Sequence, residues 1–465
     1  MTHFSVRFRE EVLDPGNCTH CGACVGLCPD ALEFRETPGG PLPFCSSPLG
    51  EEEDRALSEA WAVCPGRGVP YAELFEHCFG QQPEHGLIGP SRKIFTGYAG
   101  DEGIRKMGAS GGVITAFLVD LLERGETDGC VVLRQGLHHP EIAEPVIATS
   151  RAEILEAAQS VYAVTPMLTL LPAIRDFPGR LAMVGLPEQV AAIRMLQVLR
   201  NPAAEKIRIL IGPFTGTSMY REAVRAFLRG KGVKDHEKVA RFRWRDGEWP
   251  GNLRVELEDG RVFEEKKFYY NYLIPFYISR SCRLTPDFTN ELTDVSVGDA
   301  WSPRFEQQKG GVSIILARSS LGETLLEGMQ SRGVLSLEHS DLDDVLTMHS
   351  HMFDFKKRGT FLRLEREKKR GTVIPSFGYW PREIEFQRRM VERVISGLFW
   401  IGERRTCKWL IEVLPIAFLG WCFDVLRFRW KQVSKPVKYR GLKQLDFDVQ
   451  ESARWKELCR EAPRD

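Results

Sequence analysis

The stretch Cys18-Thr19-His20-Cys21-Gly22-Ala23-Cys24-Val25-Gly26-Leu27-Cys28-Pro29 constrains this chain more than any other. Its spacing, C-x2-C-x2-C-x3-C-P, is the run by which bacterial ferredoxins hold [4Fe-4S] cubanes, with thiolates from successive tight turns converging on one cluster. Zinc sites pair two C-x2-C halves or add distant His ligands, and no such half follows here. A second ferredoxin half would continue C-x2-C-x2-C from Cys45, but Pro48 and Glu51 stand at the next two ligand positions, so a single cluster is expected. In ferredoxin topology the first three cysteines share their cluster with a distant Cys-Pro. That rule selects Cys18, Cys21, Cys24 and Cys64, the last within Cys64-Pro65-Gly66. The simpler alternative takes Cys28 as the fourth ligand, and the sequence leaves both open.

A chain of 465 residues with 43% hydrophobic content has room for two or three domains. Lys plus Arg and Asp plus Glu are both 63, so the basic excess of a nucleic-acid-binding domain is missing. The opening residues Met1-Thr2-His3-Phe4-Ser5-Val6-Arg7 lack the apolar core of a signal peptide. A reducing cytoplasm is therefore expected, with the 12 cysteines serving as thiols or metal ligands.

The pattern divides the chain into three. Residues 1–90 read as a small, turn-rich, ferredoxin-like cluster domain. Residues 91–380 alternate short apolar runs with helical patterns and predict an α/β domain, α+β over the whole chain. Strands are expected over Ile94–Tyr98, Gly129–Leu133, Arg180–Val184 and Ile207–Ile211. Helices are expected over Gly112–Arg124, Arg151–Ser160, Pro187–Leu199 and Ser218–Arg229, the first with Val113, Phe117, Leu118, Leu121 and Leu122 as its buried face. Residues 239–298 turn β-rich, and 381–465 form a helical extension.

Gly108-Ala109-Ser110-Gly111-Gly112 lies between a strand and a strong helix, where small residues and free N–H groups at a helix N-terminus suit a phosphate. The bland alternative is a tight turn. Ser110-Gly111-Gly112-Val113-Ile114-Thr115-Ala116 with Glu123-Arg124-Gly125-Glu126-Thr127-Asp128-Gly129 resembles the opening motif of the coenzyme F420 hydrogenase/dehydrogenase beta-subunit family. Gly185-Leu186-Pro187-Glu188-Gln189 resembles its G-x-P-C-Q segment. Cys282 to Phe288 with Asp294-Val295-Ser296-Val297-Gly298-Asp299-Ala300-Trp301 resembles its later cysteine and S-D-x-x-x-G-D-x-W blocks. The resemblance spans roughly residues 90–350. It implies an FAD-containing iron-sulfur protein exchanging electrons with a two-electron partner, coenzyme F420 in archaeal members. It also implies a flavin site drawn from Ser110, Gly111, Gly112, Gly185, Pro187, Asp294 and Asp299. Asp294 and Asp299 have capping of turns as their alternative role.

Two departures matter. The family motif carries Cys where this chain has Glu188, and again at Thr285, so of those core positions Cys282 alone keeps its thiol. One thiolate does not hold a cubane. The core is therefore expected to keep its flavin pocket without a cluster of its own. Glu188 is then a candidate catalytic acid or base beside the flavin, with a solvated carboxylate at a helix N-terminus as the alternative.

In the extension, Trp409 to Phe423 is apolar but interrupted by Glu412 and Pro415, and runs into Arg427, Arg429, Lys431, Lys435, Lys438 and Arg440. Such a stretch suits peripheral contact with the inner face of a membrane through 409–440, or a helical hairpin packed on the core or a partner protein. The expected function is an oxidoreductase carrying one cluster and FAD, served by a redox partner protein or small electron carrier. The alternative is a non-catalytic electron-transfer or accessory subunit docked on a partner enzyme or membrane.

Overall fold

The computed structural model describes residues 3–37, 40–45, 50–266, 270–306 and 310–462; Pro48 lies outside them. At its centre, several strands are apolar on successive residues rather than alternate ones, as in Ser313–Ala317, buried along its whole length. A strand of that kind needs cover on both faces. The strands are β1 (Leu32–Thr37), β2 (Gly40–Cys45), β3 (Lys93–Ala99), β4 (Gly129–Gln135), β5 (Ala143–Ala148), β6 (Leu181–Val184), β7 (Ile207–Pro213), β8 (Val239–Asp246), β9 (Asn252–Leu257), β10 (Val262–Lys266), β11 (Val295–Asp299), β12 (Ser313–Ala317), β13 (Leu335–His339), β14 (Tyr379–Pro381) and β15 (Phe447–Val449). The main sheet has the order β13-β3-β12-β11-β7-β6-β4-β5.

Its period-two alternation sorts side chains into layers. Ile209, Ile211, Val295, Val297 and Ile315 pack with Phe117 and Leu121 of the helix Val113–Glu123 and with Met329 of Ser320–Ser331. On the other face Leu181, Met183 and Leu210 meet Val190, Ile193 and Leu196 of Pro187–Val198, while Ile314 and Leu316 meet Val345 and Leu346. The expected strands and the helices at 112–124 and 187–199 thus form within a residue or two. The helix expected at 151–160 stops at Glu156, and that expected from Ser218 begins at Glu222.

Strands β4, β6, β7 and β11 are parallel, and β3 shares their direction because two antiparallel pairings separate it from β11. Their carboxyl ends lie on one edge of the sheet. A separate antiparallel sheet, β10-β9-β8, carries Arg245 and leads to Trp249 at that edge.

The cluster segment packs on the same core. The amide of Leu168 donates to Cys21 O at 2.9 Å. Gly22 has φ +97°, and a Cβ there would meet the Thr169 amide nitrogen at 2.8 Å, so this close approach needs glycine. Cys21, Val63, Tyr71, Val190 and Leu458 share one apolar cluster, which joins the N-terminal region, the α/β core and the C-terminal helix Ala453–Glu461. The pairing of β14 with β15 fastens the extension back on the core.

Candidate functional site

Cys18, Cys21, Cys24 and Cys64 form one electrostatically coupled group. Cys64 acts on each of the other three, and Cys18 and Cys21 act on Cys24. Burial comes first in all four and raises the thiols, Cys21 to about 12. The opposing influences are those a cluster ligand needs. Backbone amides at His20, Ala23, Val25 and Gly66 donate toward Cys18, Cys21, Cys24 and Cys64 respectively. Arg454 and Arg67 lower the Cys64 thiol by their charge. Among the described residues no three His, Cys, Asp or Glu side chains converge on one ion-sized point. Cubane thiolates bind separate irons, so the donor chemistry of these four fits a cubane without such a point. Bound iron would also deprotonate them against the cost of burial.

Cys28 is buried at the end of the helix Ala23–Leu27.

Glu188 acts on the Cys21 thiol through its charge. Pro187 opens the helix, and Glu188 follows one residue after the carboxyl-end turn of β6. Its side chain is half-buried. Burial raises its pKa, while its own amide and the charge of Lys356 lower it and Asp287 raises it again. Desolvation is the leading influence on this carboxylate, and the amide at the helix start opposes it.

Lys356 is 1% exposed and donates to Cys282 O at 2.7 Å, with Cys282 Sγ at 3.4 Å. The Ser218 amide also donates to that sulfur at 3.3 Å. The Thr285 hydroxyl donates to Ser281 O at 2.9 Å. Cationic Lys356, anionic Glu188 and the lone Cys282 thus occupy one interior region. Lys356 sits in a π-helical turn, Asp354–Gly359, whose charged side chains are all buried. Such turns recur at functional sites.

The carboxyl edge continues from Glu188 past β7 and β11 to β3. Asn290 Nδ2 donates to Gly185 O at 2.7 Å, while its buried Oδ1 has no partner. At the end of β11, Asp299 accepts from Arg245 Nη1 at 2.8 Å, and Arg245 Nη2 is buried without a partner. Trp249 and Trp301 lie together there with ring centroids 4.6 Å apart. Ser110 donates to Val312 O at 2.8 Å, and Gly111 N donates to Ser313 Oγ at 3.1 Å, which pins the glycine loop over the start of β12. Gly112, at φ +72°, turns the chain into the helix, and a Cβ would meet Ile104 O at 2.7 Å. Beside the loop, Gln159 adopts φ +118°, donates to Met107 O at 2.6 Å and leaves a buried Oε1 unpartnered. A strained non-glycine backbone and three buried polar atoms without a partner thus lie along the sheet edge at which α/β folds take their ligands. From β3 to β6 that edge crosses four strand spacings, about 19 Å, enough for a dinucleotide.

Asp294 is not brought to this crevice. It precedes β11, roughly 16 Å along the strand from Asp299, and accepts from Arg194 at 3.1 Å and from the Leu210 amide at 2.8 Å. Its role is to fasten β11 and β7. A separate pocket of about 560 Å³, lined by Arg280, Arg366, Arg370 and Arg393 among others, contains none of the crevice residues named above.

For the coenzyme F420 hydrogenase/dehydrogenase beta subunit, the N-terminal sequence profile matches residues 94–172 and the C-terminal profile matches 179–343. Together they cover just over half of the chain. The chain belongs to the coenzyme F420 hydrogenase/dehydrogenase beta-subunit family. Within that family it is 28% identical over 343 residues to a coenzyme F420-dependent sulfite reductase of Methanocaldococcus jannaschii, covering 70% of this chain and 48% of the relative. The match thus spans about half the length of that protein. It is 29% identical over 273 residues to a coenzyme F420 hydrogenase subunit beta of Methanococcus voltae, covering 56% of this chain and 87% of the relative. A chain from the F420-reducing [NiFe] hydrogenase complex of Methanosarcina barkeri shares the fold, with TM-score 0.50 and 21% identity over 63% of this chain and 97% of that one.

Proposed function

We propose that this family member is a cytoplasmic iron-sulfur flavoprotein oxidoreductase. In this reading Cys18, Cys21, Cys24 and Cys64 carry one [4Fe-4S] cluster, and the carboxyl-edge crevice from Ser110 to Glu188 carries FAD. Bound there, the two groups would supply single-electron transfer and hydride exchange with a partner such as coenzyme F420 or another small substrate. The observation that carries the proposal is the packing of Cys21 in one apolar cluster with Met183 and Val190, which flank Glu188 in the chain, because it brings the cysteine segment up to the carboxyl end of β6.

The residues divide the work. Amides at the cysteine turns and the cations Arg67 and Arg454 stabilise negative charge on the thiolates. Ser110, Gly111 and Gly112 shape one end of the crevice, and Gly185 and Pro187 the other. Glu188 holds a proton at its carboxyl oxygen more readily than an exposed carboxylate does, which suits it to proton exchange at the reacting end. Lys356 balances its charge when it ionises.

Iron and flavin content of variants reconstituted without oxygen tests this assignment. Cys64→Ala is expected to lose the roughly four irons per chain and keep flavin, while Cys28→Ala keeps both. Loss of iron in Cys28→Ala alone would transfer the ligand role to Cys28. The non-catalytic accessory role draws support from Glu188 and Thr285, which replace the family's core cysteines. Rapid mixing with reduced F420, NADH or NADPH separates the two readings, since an accessory subunit takes no hydride from any of them.

A further inference from the structure

We propose that the helices Phe386–Gly402, Arg405–Val413 and Ile416–Tyr439 form an amphipathic surface that seats the protein on an anionic lipid bilayer. This goes beyond the redox assignment and is independent of it. The first helix turns Arg388, Glu392, Ile395 and Phe399 inward, where Arg388 pairs with Asp354 and Glu392 with Arg363. Its outward face carries Phe386, Met390, Val394, Leu398 and Ile401, a continuous exposed stripe at spacings of three and four. The long helix is docked through Ile416, Gly420 and Ser434, with Trp430 against Ile395 and Phe399. Its exposed stripe is Phe418, Trp421, Val425 and Phe428, with Leu426 and Val433 beside it. Between them, Trp409, Leu410 and Val413 are exposed on the short helix. Most of the exposed large apolar side chains among the described residues therefore lie between 386 and 433, far more than a soluble surface normally carries in one region.

Charge identifies the occupant. Although the whole chain is neutral, residues 404–440 hold nine Lys and Arg against two acids, Glu412 and Asp424. Both acids are already engaged, Glu412 by Arg229 at 2.7 Å and Asp424 by Arg427 at 3.3 Å. A surface that mixes Trp, Phe and Leu with such an excess of cations complements anionic headgroups over an acyl boundary. A protein interface would instead be depleted in Lys at its centre. Among the described residues no single helix is long and apolar enough to cross a membrane. Arg405–Val413 and Ile416–Tyr439 reach the required hydropathy only together, and a bend of 119° separates them. That geometry lays the helices in the interface plane rather than across it.

Flotation of the full-length, cofactor-loaded protein with vesicles of phosphatidylcholine, alone or mixed with phosphatidylglycerol, tests the proposal. Binding is expected to the mixed vesicles, to weaken at high salt, and to fall roughly fivefold per cation removed in Arg429→Gln and Lys431→Gln. Trp421→Glu and Leu426→Glu, both at exposed positions, are expected to abolish flotation while iron and flavin absorbance stay unchanged. Absence of flotation with either vesicle would overturn the proposal, as would equal flotation with phosphatidylcholine alone. So would a wild-type dimer that these two substitutions disperse without any effect on vesicles, because the occupant would then be a second copy.

Discussion

Replacement of Lys356 by Met tests the charge balance of the interior region most directly. The ammonium is buried, makes a 2.7 Å bond to Cys282 O and is the cation that lowers the Glu188 pKa. A hydrogen bond from a charged group contributes about 1.5–3 kcal/mol. Removing one partner of a buried charge pair costs about 3–5 kcal/mol. Because Met fills much of the vacated volume and Glu188 can take up a proton, the expected loss is about 3 kcal/mol. Adding Glu188→Gln removes the carboxylate that needs the cation, so the double variant is expected to recover about 1–2 kcal/mol relative to the sum of the single losses. Urea unfolding of the four proteins, followed by tryptophan fluorescence, gives these values. The pH dependence supplies a second readout. A raised carboxyl pKa means that the folded state holds a proton the unfolded chain has released. Stability therefore falls as pH rises from the ordinary carboxylate value through the folded one. Lys356→Met extends the Glu188 share of that fall to higher pH, and Glu188→Gln removes that share and leaves the one due to Glu291. A loss below about 1 kcal/mol in Lys356→Met, with strict additivity in the double variant, would refute the coupling.

Three further outcomes are expected. Arg454→Met removes a buried cation that acts on Cys64 and donates to Ala62 O at 2.7 Å; cluster retention should weaken roughly 10- to 100-fold, measured as iron release to a chelator, with Arg454→Lys less affected. Ser110→Trp fills the crevice at the glycine loop and should eject most of the flavin while leaving iron content unchanged, as absorbance spectra would show. Burial pushes Glu291 up to about 7 against the opposing charge of Lys357. The folded protein then holds an extra proton between the ordinary value of 4.5 and 7, so stability should fall by about 3 kcal/mol as pH rises through that window. In Glu291→Gln the slope measured by denaturation at successive pH values should shrink by one proton.

The contrast between Cys64 and Lys356 explains what was legible in the sequence. The proposed cluster ligation is a local code, since C-x2-C-x2-C spaces three thiols as a ferredoxin does and a distant Cys-Pro dipeptide offers a fourth. Strand placement is nearly as readable, because strands covered on both faces must be largely apolar and Ile207–Pro213 and Ser313–Ala317 are. Asp294 and Asp299 stand five residues apart in one motif, yet strand geometry sends them to different places. Only the tertiary pairing of Asp294 with Arg194 and the Leu210 amide reveals that it is structural. The charge-balancing groups are less legible still. In Asp354-Phe355-Lys356-Lys357-Arg358-Gly359 four charges surround one aromatic, a composition that reads as solvated surface, whereas a π-helical turn buries every one of them. Each is satisfied by a residue far along the chain: Lys356 by Cys282, Lys357 by Glu291, Arg358 by the Lys438 and Arg440 carbonyls as well as by Asp354. Arg454 likewise reaches Cys64 from the last helix. Spacing along a chain encodes which groups can share a ligand; it does not encode which distant cation balances them. For Glu188 the balance comes from a lysine more than 160 residues away, and Glu188→Cys alone would leave Lys356 buried without that carboxylate.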